Sequence, residues 1–360
     1  MVPDAAIEDD VARAAAVVPR EHYTNHPQLG SVPQATAQFA IERDLRRAGI
    51  QPGMRVLEIG TGTGYTGALL AELVGPDGHV VSVDVDPAPI QRAAKLHIER
   101  RVWNLTLIGA DGHCGASEHA PFDAILAWAT PTHIPQSWIE QACAGAVIST
   151  PIYVAPVART VGHLRVTVTE DGHLAHPQLG GAVYVDMGHE INHSLGVPIF
   201  YIDARHDAAD GEVAWVSTAW RLHFNDPAAT LDILQNPAHR QFVPLGATEE
   251  DRALAWRNFR SYCAGREASG QRPSNLTAYG TAGSTWISGI GFSNGHHAAV
   301  LTSDGYFITD RPDSPPLMRL RAFFQDWEQR GRPGIAALAP VLEPTNDGWQ
   351  VRVTLARAAT

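Results

Sequence analysis

The sequence predicts an α/β fold with a mostly parallel sheet, plus an additional C-terminal α+β region. Three observations predict it. Short apolar runs alternate with helical patterns between residues 55 and 149. A glycine turn follows the first of those runs directly. After Pro151 the texture changes to alternating strands and longer polar stretches, and a boundary is placed between 1–205 and 206–360.

The elements follow in order. Ala35 to Ile50 has a helical apolar pattern through Phe39, Ile41 and Leu45, closed by Pro52-Gly53. Arg55 to Ile59 is a short strand, Gly60 to Gly64 the glycine turn, and Tyr65 to Val74 a helix. Pro76-Asp77-Gly78 turns the chain into a second strand, His79 to Val85. Asp86-Pro87 suits an N-cap and first-turn proline, opening a helix to about Arg100. Leu105–Ile108 and Ala124–Trp128 read as strands, Pro135–Cys143 as a helix, and Ala146–Ser149 as a fifth strand. Later, Leu164–Thr169 alternates as a strand before the turn pair Asp171-Gly172. Val183–Val185 and Val197–Ile202 are candidate strands, and His206–Glu212 a polar loop. Arg319–Arg330 looks helical and Trp349–Leu355 looks like a terminal strand.

Composition narrows the function classes. The chain has 360 residues, 44% of them hydrophobic, and a formal net charge of −11. That balance, without a dense basic patch, argues against a nucleic-acid surface. Arg43, Arg46, Arg47, Arg100 and Arg101 read as solvated helix surface. Cys114, Cys143 and Cys263 have no CxxC spacing and cannot all pair, which fits a reducing cytoplasm. Met1 to Asp10 lacks the apolar core of a signal peptide, and no run approaches the length of a membrane span.

The segment VLEIGTGTGY, Val56 to Tyr65, carries the sharpest signal. Close approach of a ligand to the end of a strand needs residues without a Cβ. Gly62, Gly64 and Gly67 satisfy a dinucleotide GxGxxG, and Asp84 lies where a ribose-binding acid belongs. Yet the turn begins at Gly60, directly after the strand, and Glu58 suits a charged zwitterion better than a pyrophosphate. A methyl donor is favoured, with a dinucleotide or a purely structural turn as alternatives. Asp84 can accept from both ribose hydroxyls, a charge-assisted pair. Asp111, in GADG, could accept from an adenine amine or form a plain Asx turn. Asp123 has either a structural role or a functional one.

These stretches together resemble the protein-L-isoaspartate O-methyltransferase family. The similarity runs from VPRE at Val18 through VLEIGTGTGYTGALLAELVG, VVSVDVDP and GADG to HAPFDAILAWATPTHIP, ending near Pro151. The resemblance implies a Rossmann-like class I methyltransferase fold. It implies S-adenosyl-L-methionine as cofactor and an aspartate or isoaspartate carboxylate, in a protein or peptide, as acceptor. Glu58, Gly60, Gly62, Asp84 and Asp111 would line the donor site. The family's hydroxyl residue near the methyl group matches Ser31, in LGSVP, although the residues before it, Leu29 and Gly30, depart from the T-I-S-x-P pattern. His133, in THIP, could line the acceptor pocket or lie on the surface. The long C-terminal addition looks like that of variants that accompany ribosomal peptide maturation. A non-catalytic donor-binding module with this fold is the competing reading.

A carboxylate acceptor, with a pKa near 4, is already ionised at neutral pH, so no strong base is required. Positioning is what the protein must supply. One rival motif stands apart: HEINH, His189 to His193, matches the zinc-protease HExxH. Gly188, Gly196 and Pro198 leave room for two helical turns at most, no third ligand is evident, and no metal is expected. His296-His297 reads as a loop. Trp215, Trp220, Trp256, Trp286, Trp327 and Trp349 all follow residue 205, so that region is either a packed helper or a module that grips an acceptor.

Overall fold

The computed structural model describes residues 4–26, 30–32, 35–191, 196–219, 226–268, 275–284 and 286–356. Seven strands form the first sheet: β1 (Arg55–Ile59), β2 (His79–Asp84), β3 (Leu105–Gly109), β4 (Phe122–Ala127), β5 (Ala142–Tyr153), β6 (Val161–Val168) and β7 (Leu174–Gly181). Their order is β7-β6-β5-β4-β1-β2-β3. The pairs β1–β2, β2–β3, β1–β4 and β4–β5 are parallel, and β6 and β7 add on antiparallel. The chain therefore runs outward from β1 through β2 to β3, then returns to place β4 on the other flank of β1. That reversal opens a crevice at the carboxyl ends of β1 and β4, where open α/β sheets bind ligands.

The helices α1 (Asp4–Val17), α2 (Gln38–Ala48), α3 (Tyr65–Val74) and α4 (Pro87–Arg100) flank this sheet. Asp86 caps α4 by accepting from the N–H of Ala88 at 2.8 Å, with Pro87 in the first turn, as the sequence predicts. α3 is buried at nearly every position, so its apolar run needs no polar face.

Several expectations change. The helix expected over 135–143 is only Gln136–Glu140. Ala142 already pairs with Phe122, and the Gln141 amide bonds the loop at Cys114 and Ala116, so the parallel ladder claims the backbone early. Of 183–185 and 197–202, only Val185 enters a strand, the two-residue Val185–Asp186 beside Ala129–Thr130. The expected loop 206–212 begins inside the strand Ala204–Asp207.

The C-terminal region builds a second, antiparallel seven-stranded sheet. Its order is Ala204–Asp207, Val213–Thr218, Leu276–Ala282, Ile287–Ser293, Ala298–Thr302, Tyr306–Thr309, His239–Phe242. Helices α5 (Pro227–Gln235), α6 (Glu249–Ala268) and α7 (Pro315–Gln329) pack on it. Trp256, Phe259, Arg260 and Cys263 recur at helical spacing on the buried stripe of α6. A hairpin, Leu338–Thr345 with Gly348–Leu355, then reaches back to pair with Ile134–Pro135 beside the first sheet. One continuous buried cluster joins Leu57, Ile125 and Ile148 to Trp215, Phe259 and Trp327. Among the described residues no helix is long and apolar enough to cross a membrane.

The basic stripe on α2 is not plain solvated surface. Asp44 beside it is buried and gathers Arg43 at 2.8 Å through two hydrogen bonds, with the Tyr184 hydroxyl donating at 2.7 Å. Arg47 approaches the same carboxylate at 3.4 Å, and Arg165 donates to the Arg47 carbonyl at 2.7 Å. The cluster fastens α2 to the antiparallel edge of the sheet. Its arginine partners keep partial access to solvent, but loss of Asp44 would leave the buried Tyr184 hydroxyl without its acceptor, typically at a loss of about 1–3 kcal/mol. Asp44→Ala should lower the unfolding free energy by that order in urea titration; a change below about 1 kcal/mol would show that the cluster does not hold α2.

Candidate active site

The crevice begins at the glycine turn. β1 ends at Ile59, and Gly60, Gly62 and Gly64 then take φ values of 97°, 49° and 83°. Side chains rarely adopt these left-handed angles, which explains three alternate glycines. The turn leaves its N–H groups facing β2. Gly60 donates to the Val83 carbonyl at 2.7 Å, and Gly62 donates to Asp84 Oδ2 at 3.0 Å. The other Asp84 oxygen accepts from the Asp86 N–H at 3.0 Å. Burial lifts the Asp84 carboxyl above its ordinary value, against the pull of these bonds.

A cavity of about 950 Å³ opens over the turn. Gly60, Thr61, Gly62, Asp84, Gly112 and Trp128 line one part of it. α6 contributes Arg257, Asn258, Arg260 and Ser261 to another, with Trp286 from the approach to the strand Ile287–Ser293. Gly60, Gly62 and Asp84 thus come together at the cavity wall as the sequence suggests.

Glu58 does not line the cavity. It is fully buried behind the turn, where Trp128 Nε1 donates to Oε1 at 2.9 Å and the Ser82 hydroxyl donates to Oε2 at 2.6 Å. Ser82 also bonds Thr61 at 2.7 Å. Position 58 points away from the ligand side because it alternates with Leu57 and Ile59 on a strand with both faces covered. Burial pushes its carboxyl up to about 7, moderated by the bonds from Ser82, Thr66 and Trp128.

Asp111 does not line the cavity either, whereas its neighbour Gly112 does. Its carboxylate accepts from the His113 N–H at 2.9 Å and meets the rings of His113 and His189 at 2.8 and 2.7 Å. Burial alone would raise Asp111, but the bonds from His189 and His113 hold it below its ordinary value. The two imidazoles stack with centroids 4.1 Å apart. Potential ligand atoms of all three side chains lie within 4.8 Å of one another, a grouping that sequence spacing did not reveal.

His133 sits in a bend before Ile134–Pro135, bonded to Thr132 at 3.1 Å, and does not line the cavity. The pairing of Ile134–Pro135 with Gly348 and Trp349 holds this segment against the C-terminal hairpin instead. For Ser31 only the backbone is placed, paired antiparallel with Asn25, and its side chain lies outside the described residues. Ala35, Thr36 and Ala37, a few residues on, do border the cavity. His189 and Glu190 lie in a bend rather than a helix, which removes the one-face geometry that HExxH requires, and His193 lies outside the described residues. Asp123 accepts from the Arg55 N–H at 2.8 Å at the start of β1, remote from the turn at the other end of that strand.

Sequence reasoning missed Trp128, Arg159, Arg257 and Arg260. Trp128 carried a signal, since it ends the strand that flanks β1. The arginines carried none, because they reach the cavity only through long-range packing.

Comparison with known proteins follows this geometry. Residues 5–191 match the family described as Protein-L-isoaspartate(D-aspartate) O-methyltransferase. The protein-L-isoaspartate O-methyltransferase of Methanothrix thermoacetophila is 36% identical over 162 residues, spanning 41% of this chain and 75% of that protein. The enzyme of the same description from Ignicoccus hospitalis is 32% identical over 163 residues, again 41% and 75%. A solved protein-L-isoaspartate O-methyltransferase structure aligns over 96% of this chain and 95% of its own, at 18% identity and a TM-score of 0.49.

The buried Glu58 makes stability depend on pH. The folded carboxyl keeps its proton up to about 7, whereas the unfolded one loses it near 4.5. Between those values the folded state binds more protons, so this contribution is complete below 4.5 and is lost as pH rises through 7. Its size is about 3 kcal/mol. The unfolding free energy of wild type relative to Glu58→Gln should fall by that order from pH 4.5 to pH 8; a difference that stays constant would contradict the buried-acid assignment.

Proposed function

The chain belongs to the protein-L-isoaspartate(D-aspartate) O-methyltransferase family, and on that premise we propose that the crevice over Gly60–Gly64 holds the methyl donor with Asp84 gripping its ribose. The protein is an S-adenosylmethionine-dependent O-methyltransferase acting on aspartate or isoaspartate in proteins or peptides. S-adenosylmethionine supplies an electrophilic methyl group on a cationic sulfur.

The residues present fit that donor. Asp84 borders the cavity and still has acceptor capacity for two hydroxyl protons beyond the bonds from Gly62 and Asp86. The glycines let the backbone come close to a bulky ligand. Glu58 acts from behind, keeping β1, β2 and Trp128 in fixed relation. Asp111 holds the loop at Gly112, whose backbone borders the cavity beside the turn.

An acceptor carboxylate oxygen attacks the methyl carbon as the carbon–sulfur bond breaks, and the electron pair leaves with sulfur. No proton moves, so the chain's own task is to exclude water and align the reactants. The face built by α6 and Trp286 would receive the acceptor. Three free cysteines fit a reducing cytoplasm.

The observation that carries this reading is Asp84, a mostly buried carboxylate one strand from the glycine turn and facing the cavity. A charged hydrogen bond contributes about 1.5–3 kcal/mol, so loss of even one of the two with Asp84→Ala should weaken binding of S-adenosylhomocysteine at least about tenfold by calorimetry. Unchanged affinity would remove Asp84 from the donor site. With labelled donor and isoaspartyl or aspartyl peptides, the label should be released by mild base as a methyl ester; base-stable label would point to nitrogen or another oxygen.

A further inference from the structure

Positive charge gathers at one part of the cavity. Arg159, Arg257 and Arg260 all line it. Arg260 is buried, only 8% exposed, and its Nε finds no hydrogen-bond partner among the described residues. Its guanidinium lies over the Trp256 ring at 5.0 Å, which fixes its plane. Burial lowers its pKa to about 10, and the neighbouring charges of Arg159 and Arg257 push in the same direction. Such mutual repulsion in a buried place is costly unless an anion arrives.

Arg159 is itself held in an unusual way. Its φ is +63°, a left-handed angle for a side-chain-bearing residue, and its Nη2 donates to the Gly196 carbonyl at 2.8 Å. Strained backbone of this kind concentrates at functional sites. The other charged groups on the cavity wall are mostly engaged. Arg43 is bonded to Asp44, and Arg20 donates to the Thr36 carbonyl at 2.8 Å. Asp84 and Asp86 belong to the glycine corner and the cap of α4. Asp186 interacts with the Arg159 charge, and it accepts from the Tyr153 hydroxyl at 2.7 Å and from the Ile199 N–H at 2.8 Å. Glu190 is the remaining carboxylate on the wall, and it is exposed.

We propose that Arg159, Arg257 and Arg260 form an anion-binding subsite that holds a second carboxylate of the acceptor, so that the preferred substrate is an acidic peptide. This rests on the methyl-transfer reading. The carboxylate that takes the methyl group neutralises one positive charge at most, and it must keep a lone pair free for attack. Planar guanidiniums converging from α6 and the segment after β5 suit a neighbouring Asp or Glu side chain, or a chain-terminal carboxylate, through paired hydrogen bonds. The subsite therefore selects the stretch of chain around the methylated residue.

The test uses the full chain, labelled donor and two isoaspartyl peptides that differ only in having Glu or Gln beside the acceptor. Wild type should show a KM at least tenfold lower for the Glu peptide. Arg260→Gln and the more accessible Arg257→Gln should each bring the two KM values within about twofold, with S-adenosylhomocysteine affinity unchanged. That last measurement confirms that the variants fold. Equal KM values for the two peptides with wild type, or a preference that survives in Arg257→Gln, would overturn the subsite, and so would failure to methylate either peptide while donor binding persists. Loss of S-adenosylhomocysteine binding by wild type would instead overturn the methyl-transfer reading on which it stands.

Discussion

The site depends on one buried carboxylate. Glu58 ties β1 to β2 through Ser82 and to the end of β4 through Trp128. It does so at the point where the strand order reverses. A buried acid is expensive unless its oxygens are satisfied, and here both are. The crevice thereby gains fixed walls, since Trp128 is oriented by the bond it donates. Apolar residues at 58, 82 and 128 could fill the same space but would set no such angle between them. The rise of its carboxyl toward neutrality follows from that burial.

The parallel core was legible because each element is local. Strand Arg55–Ile59 and helix Tyr65–Val74 coincide with their expected bounds, since Gly60 closes the strand and Gly64 and Gly75 bracket the helix. The cap at Asp86 was equally readable. Legibility fell where pairing overrode local pattern, as at Ala142, which joins a twelve-residue strand although its neighbours look helical. The second sheet was hidden for a related reason. Its strands from Leu276 to Thr309 are buried along most of their length, so they lack the alternation that marks a half-exposed strand.

The candidate site divides along the same line. Gly60, Gly62 and Asp84 were readable because backbone geometry demands glycine and a strand end places the acid. Glu58 and Asp111 were picked out by motif, but where their side chains settle depends on packing, and neither lines the cavity. His133 shows the limit of reasoning by chain position: it follows β4 at the ligand end, yet the strand Gly348–Leu355 holds its neighbours elsewhere. The Asp44 cluster makes the same point, since a surface-looking run of arginines on α2 conceals a buried carboxylate.

The C-terminal region explains why the acceptor side could not be read from the methyltransferase core. The core supplies the glycine corner, whereas α6 supplies Arg257 and Arg260 and the approach to the strand Ile287–Ser293 supplies Trp286. These arrive because the Leu338–Leu355 hairpin and the shared buried cluster lock the two regions together. For a reaction that needs no base, alignment is the chief means of acceleration, and alignment requires walls on both sides of the reacting pair. Trp286 is in direct contact with the chain at Gly196, where even a methyl group on that glycine would collide with the indole ring. The chain at Gly196 and the start of the second sheet therefore meet with no slack at the cavity's edge, so that the wall proposed to receive the acceptor is set by residues more than a hundred positions from the glycine turn.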